Sequence, residues 1–180
     1  PAIKLASAVS KNRRIGLLAT NQSVNNPYTE KLIKDFAKDC YVAKLGNPSL
    51  IDFIEKSLFT ATENDIKNAI MPSIEFFQKE NVDTIILGCT HFLHLSEEIK
   101  FYAGNAMKVV DSRDGVAKQA LRIYKKQKVQ NNEKANNSEK TLESLQFEDK
   151  TFFVTSEKSS KVEYELLSKE LKLPYGGLLA

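Results

Sequence analysis

The residues best suited to chemistry are Cys89, Thr90 and His91, which close the run Thr84-Ile85-Ile86-Leu87-Gly88-Cys89-Thr90-His91. An apolar strand ends there and an amphipathic segment follows. That puts a thiol at the carboxyl end of a strand, close to the first turn of the next helix. In open α/β sheets this edge is where ligands bind. A helix N-terminus also favours the thiolate, through its dipole and its free N–H groups. His91, two residues from the thiol, is placed to exchange a proton with it or to hold a substrate; its plainer role is a helix-capping or surface imidazole. Cys89 alone reads equally as a small core residue. Thr90 and His91 tip the balance, because polar side chains where a buried strand becomes a helix need partners. His94, one turn on, is a weaker candidate. Cys40 opens a strand and reads as a packing residue.

The elements that position these groups follow from hydrophobic pattern. Residues 15–19 are a continuous apolar run, a buried parallel strand, followed by a polar loop from Thr20 to Ser23. Asn26 before Pro27 marks a helix start, and Tyr28, Leu32, Ile33 and Phe36 recur at helical spacing. Residues 40–45 form a second strand. Ile51, Ile54 and Leu58 outline a short helix carrying Glu55. A longer helix carries Ile66, Ala69, Ile70, Ile74 and Phe77, with Pro72 as a potential kink. The strand ending at Cys89 comes next, then a strand over 108–111. Val116, Ala117, Ala120, Leu121 and Tyr124 stripe a further helix. Residues 127–140 are polar and read as a mobile insertion. A strand over 151–155 and a closing helix with Val162, Leu166, Leu167 and Leu171 complete the chain, and Gly176-Gly177 signals a flexible tail. The alternation of strand and helix predicts an α/β fold, a parallel sheet with helices on both faces. The elements after Asp111 are too few to close a core of their own.

The bulk numbers narrow the classes. The 180 residues carry a net charge of +3, with Lys and Glu interspersed along helices, so no nucleic-acid partner is expected. No apolar run is long enough to span a bilayer, so no membrane partner is expected either. Two cysteines in unlike contexts make no disulfide framework and fit a reducing cytoplasm. Cys40, Cys89, His91 and His94 do not match zinc spacings, so no metal is expected. Neither GxGxxG nor GxxxxGK[ST] occurs, which leaves a phosphate cradle unsupported.

Residues 86–91, Ile-Leu-Gly-Cys-Thr-His, resemble the second cysteine motif of glutamate racemases in the aspartate/glutamate racemase superfamily. Residues 14–20 with Ser23 resemble the strand and substrate loop that open that family's second domain. The segment 52–55 resembles its stretch with a functional glutamate, and segments 110–112 and 152–156 resemble its two late strands. The resemblance implies two similar domains, of which the first is incomplete here. Residues 1–110 correspond to the second domain with the Cys89 motif, and 111–180 to the returning part of the first, with the polar insertion. It also implies cofactor-independent interconversion of L- and D-glutamate by two cysteines on opposite faces of the α-carbon, supplying D-glutamate for peptidoglycan in the cytoplasm.

By the same resemblance, Cys89, His91 and Glu55 form the catalytic set, with Cys89 as base and acid, His91 assisting it and Glu55 as a supporting carboxylate. Thr20, Ser23 and Thr90 bind glutamate, and a homodimer is expected at full length. Ser23 replaces a usual Thr and keeps its hydroxyl. The segment 46–50 lacks the usual Cys-Pro pair. The family's Asp-Ser-Gly, Pro-Tyr-Gly and Cys-Asn-Thr motifs do not occur in these 180 residues, and the context of Cys40 matches none of them. The fragment alone is therefore expected to be inactive. The alternatives are an aspartate or hydantoin racemase relative, or a non-catalytic racemase-like binding module.

Overall fold

The computed structural model describes residues 1–134, 152–154 and 161–178. Pro1–Lys125 forms one compact unit and Lys126–Ala180 a second. The first unit is built on a four-stranded parallel sheet in the order β2-β1-β3-β4, comprising β1 (Arg14–Ala19), β2 (Tyr41–Gly46), β3 (Thr84–Leu87) and β4 (Lys108–Val110). This confirms the expected fold class, and alternation along each strand explains it.

Ile15, Leu17 and Ala19 of β1 and Ile86 of β3 face one layer, with α1 (Ala2–Val9), α2 (Asn21–Val24) and α3 (Pro27–Phe36). Leu18, Ala43, Ile85 and Leu87 face the other, with α4 (Pro48–Lys56), α5 (Glu63–Lys79) and α6 (Ser96–Ala103). Because both faces are covered, every residue of β3 is buried. Gly16 fits because the Phe77 ring lies on it; a Cβ there would come within 2.6 Å of that ring's Cε1.

The chain leaves β1 through α3 on one face and leaves β3 through α6 on the other. The crevice between their carboxyl ends is the switch point at which open α/β sheets bind ligands. At the opposite end, Asp83 ties the sheet's amino edge to the turn before β1. Its Oδ2 accepts from the backbone N–H groups of Lys11 at 2.6 Å and Asn12 at 2.8 Å.

Several local readings need correction. Ala2–Val9 is a helix that the sequence reading did not propose. Thr20–Ser23 is not a loop: Thr20 caps the single-turn helix α2. The long helix runs from Glu63 to Lys79 through Pro72, opened by a capping box between Thr62 and Asp65. Cys89 is followed by a 3-10 turn, His91–Leu95, and not directly by an α-helix. Helix α7 spans Arg113–Lys134 and so takes in residues 127–134 of the supposed insertion, while 135–140 lie outside the described residues.

In the second unit, β5 (Phe152–Val154) pairs in parallel with β6 (Tyr175–Leu178), and α8 (Lys161–Leu171) lies between them in sequence. Gly176-Gly177 is thus strand and not a loose tail, with Gly177 at φ +93°. Thr151 and Thr155, read as strand, lie outside the described residues. Among the described residues no helix is long and apolar enough to cross a membrane.

Candidate functional site

The carboxyl ends of β1, β2 and β3 meet at one edge. Leu18 pairs with Leu87, and the Gly88 N–H donates to the Leu18 carbonyl at 2.8 Å, which carries the register one residue past β3. Thr20 and Cys89 follow on neighbouring strands. Gly88 has no room for a side chain: a Cβ would lie 2.8 Å from Leu17 Cδ1 and 3.1 Å from Ala19 Cβ. The turn that presents Cys89 therefore lies directly against β1.

Cys89, His91 and Glu55 form one chain of contacts. The Cys89 Sγ lies 3.4 Å from His91 Nδ1. His91 Nε2 lies 2.9 Å from Glu55 Oε1. In the neutral tautomer that donates from Nε2 to the carboxylate, Nδ1 is the acceptor facing the thiol. The thiol is half-buried, whereas Gly88 and Thr90 beside it are exposed. Among the described residues, the amides of Cys89, Thr90 and His91 meet no acceptor. Three successive free N–H groups beside a thiol suit a developing negative charge.

Packing puts these groups in place. Ile54, one residue before Glu55, and Phe92, one residue after His91, are buried in the same apolar cluster. Burying those two neighbours leaves the carboxylate and the imidazole side by side at the rim. Helix α4 is fixed at its start by Asn47, whose Oδ1 accepts from the Leu50 N–H at 2.9 Å. The Asn47 Nδ2 donates to the buried Ser73 Oγ at 2.9 Å, and its backbone N–H donates to the Ala19 carbonyl at 3.1 Å. Asn47 and Ser73 were not among the residues picked out from sequence. The Asn47-Pro48 pair repeats the helix-start signal of Asn26-Pro27 and could have identified the cap.

Thr20 and Ser23 are bonded to each other. The Thr20 Oγ1 accepts from the Ser23 N–H at 3.0 Å and pairs with the Ser23 Oγ at 2.9 Å. The Thr20 hydroxyl is the donor in the second contact, which leaves Ser23 its own hydroxyl proton. No hydrogen bond joins this pair to Cys89 among the described residues, and Thr90 makes none through its side chain.

Cys40 stands apart. It precedes β2 at the amino edge, with its Sγ 3.6 Å from Ser7 Oγ. The length of the strands separates it from Cys89, roughly 20 Å. At the end of β4, the Arg113 guanidinium holds the Asp111 carboxyl below the ordinary range, with Nη2 2.7 Å from Oδ2. No group of His, Cys, Asp and Glu among the described residues is arranged to hold a metal.

No protein-family model matches the sequence. Curated relatives do. A glutamate racemase of Actinobacillus pleuropneumoniae serotype 3 is 38% identical over 117 residues, which is 65% of this chain and 44% of that protein. One of Glaesserella parasuis is 34% identical over 149 residues, 82% of this chain and 55% of the relative. One of Treponema pallidum is 36% identical over 123 residues, 68% and 46% respectively. The chain spans about half the length of the curated relatives it matches. Among solved structures, Escherichia coli glutamate racemase in complex with L-glutamate and the activator UDP-MurNAc-Ala superposes with a TM-score of 0.71 at 25% identity. That match covers 99% of this chain and 61% of the other. A glutamate racemase isoform of Bacillus anthracis shares the fold, with a TM-score of 0.68 at 23% identity over 100% of this chain and 62% of the other.

Proposed function

This chain is a homologue of the glutamate racemases across about half of their length, and from that premise we propose that the intact protein interconverts L- and D-glutamate without a cofactor. The observation that carries the reading is the Cys89–His91–Glu55 chain at the ligand-binding edge of the sheet. The α-proton of an amino acid is very weakly acidic. Its removal needs a strong, positioned base and donors for the negative charge left behind. Cys89 supplies the thiolate, and His91 Nδ1 takes the thiol proton. Glu55 holds the ring in the tautomer that allows this. The amides of Cys89, Thr90 and His91 face the developing charge. Ser23, held by Thr20, and the Thr90 hydroxyl receive the substrate carboxylate.

Inversion at carbon needs a second proton donor on the opposite face. The 180 residues hold two cysteines, and Cys40 lies at the wrong end of the sheet. The second thiol therefore belongs to a segment outside these residues, and the 180 residues alone do not racemise. On this reading residues 1–110 correspond to the second racemase domain and residues 111–180 to the returning part of the first. The biological role is the supply of D-glutamate for peptidoglycan, by a cytoplasmic homodimer.

The test is circular dichroism of glutamate incubated with the intact protein. Wild type and Cys40→Ser abolish the L-glutamate signal, and Cys89→Ser leaves it unchanged. An unchanged signal with wild type would overturn the proposal.

A further inference from the structure

We propose that Cys89, His91 and Glu55 form a thiol acyl-transfer site that accepts small activated esters and thioesters. The inference goes beyond racemisation and rests only on the contacts of these residues, because it needs no second thiol. The parts that acyl transfer requires are a nucleophile, a base within reach of it, a group that orients the base, and donors for the oxyanion. The Sγ–Nδ1 distance of 3.4 Å supplies the first two, and the Nε2–Oε1 contact of 2.9 Å supplies the third. The N–H groups of Cys89, Thr90 and His91, which meet no acceptor among the described residues, are available as the donors. A nucleophile's own amide serves in this way in hydrolases of several folds. Exposed Gly88 and Thr90 leave the half-buried thiol open to an acyl donor.

The steps balance without a redox partner. The thiol proton moves to His91 Nδ1 as sulfur attacks the acyl carbon, forming an S–C bond and an oxyanion. The carbon–oxygen bond of an ester, or the carbon–sulfur bond of a thioester, then breaks. The departing group takes the proton from the imidazolium. Water attacks the acyl-enzyme, the S–C bond breaks, and a carboxylic acid leaves as the thiol is restored.

The probe is 4-nitrophenyl acetate, added to the 180-residue chain. The expected result is a burst of one equivalent of 4-nitrophenol, with one acetyl group on the peptide that contains Cys89. Cys40, in the same chain and without an imidazole, is the internal control and acylates at least about a hundredfold more slowly, the scale of one positioned base. His91→Asn brings Cys89 down to the rate of Cys40, and Glu55→Gln slows it by about tenfold, less than the loss of the base itself. Equal acylation of the two cysteines in wild type, or no acetyl on Cys89, would overturn the inference. Racemisation by the intact protein is read separately, so either idea can fail without the other.

Discussion

Glu55 Oε1 and His91 Nε2 lie 2.9 Å apart, one at the end of α4 and the other in the turn after β3. Nothing in the local chain brings these two residues together. They meet because Ile54 and Phe92, their immediate neighbours, are buried in one apolar cluster. The polar contact is thus placed by packing, and it orients the imidazole against Cys89. On the proposed mechanism His91 touches the reacting thiol, whereas Glu55 is a positioning residue that acts through the ring.

That division of roles separates two variants of the intact protein. His91→Asn keeps a polar side chain but loses the base, and is expected to lower kcat for glutamate by about a hundredfold with little change in KM. Glu55→Gln keeps a partner for Nε2 and loses the charge, and is expected to lower kcat by about tenfold. Steady-state kinetics with each enantiomer checks both. A Glu55→Gln variant with wild-type kcat would remove Glu55 from the mechanism.

Asn47 links the start of α4 to Ser73 and to β1, and so supports Glu55 from a distance. Asn47→Ala loses a helix cap and leaves the buried Ser73 hydroxyl without its donor. The expected loss of stability is about 2 kcal/mol, from about 1 for the cap and about 1 for the unpaired group. Asn47→Asp keeps a capping oxygen and is expected to lose less. Urea unfolding of the three proteins measures the order, and an Asn47→Ala variant as stable as wild type would contradict it.

Asp83 contributes an acid-sensitive part of the stability. Burial pushes its carboxyl up, but the nearby Ser10 hydroxyl, the amides of Asn12 and Lys11 and the Thr84 hydroxyl together outweigh this and hold it below the usual range. A carboxylate lowered in the folded state contributes stability above its unfolded value of about 3.9, and loses it as the pH falls through the folded value. Asp83→Ala is therefore expected to cost roughly 1–3 kcal/mol at neutral pH. The gap from wild type narrows as the pH drops below about 4. Denaturation curves at neutral and acid pH test the sign, and a gap that widens in acid would reverse the assignment.

The sheet was legible because its strands are apolar runs with polar ends. β1, β2, β3 and β4 all lie where the pattern puts them. What escaped was structure without punctuation. Helix α1 has Pro1 at its N-cap position and no side-chain cap, so nothing in the sequence announces its start. Helix α2 is one turn held by the Thr20 hydroxyl, and a polar four-residue run looks the same as a loop. β6 contains Gly176-Gly177, and its pairing with β5 overrides a composition that argues against a strand. The site divides in the same way. Cys89 and His91 are two residues apart, so spacing alone suggests the pair. Glu55 was reached only through the resemblance, because its contact with His91 depends on how α4 packs.

The complete burial of β3 also decides where motion can enter the site. Amides in so well covered a strand exchange with solvent only when the whole unit opens, whereas exposed helix ends and turns open locally and often. Cys89 is tethered to that slow segment. His91 and Glu55 sit at the rim, with side chains 37% and 55% exposed. The thiol adjoins the buried strand, and the imidazole and carboxylate stand at the more exposed rim. Anything that tunes the reactivity of Cys89 from a distance has to act by moving the turn after β3 or the last turn of α4.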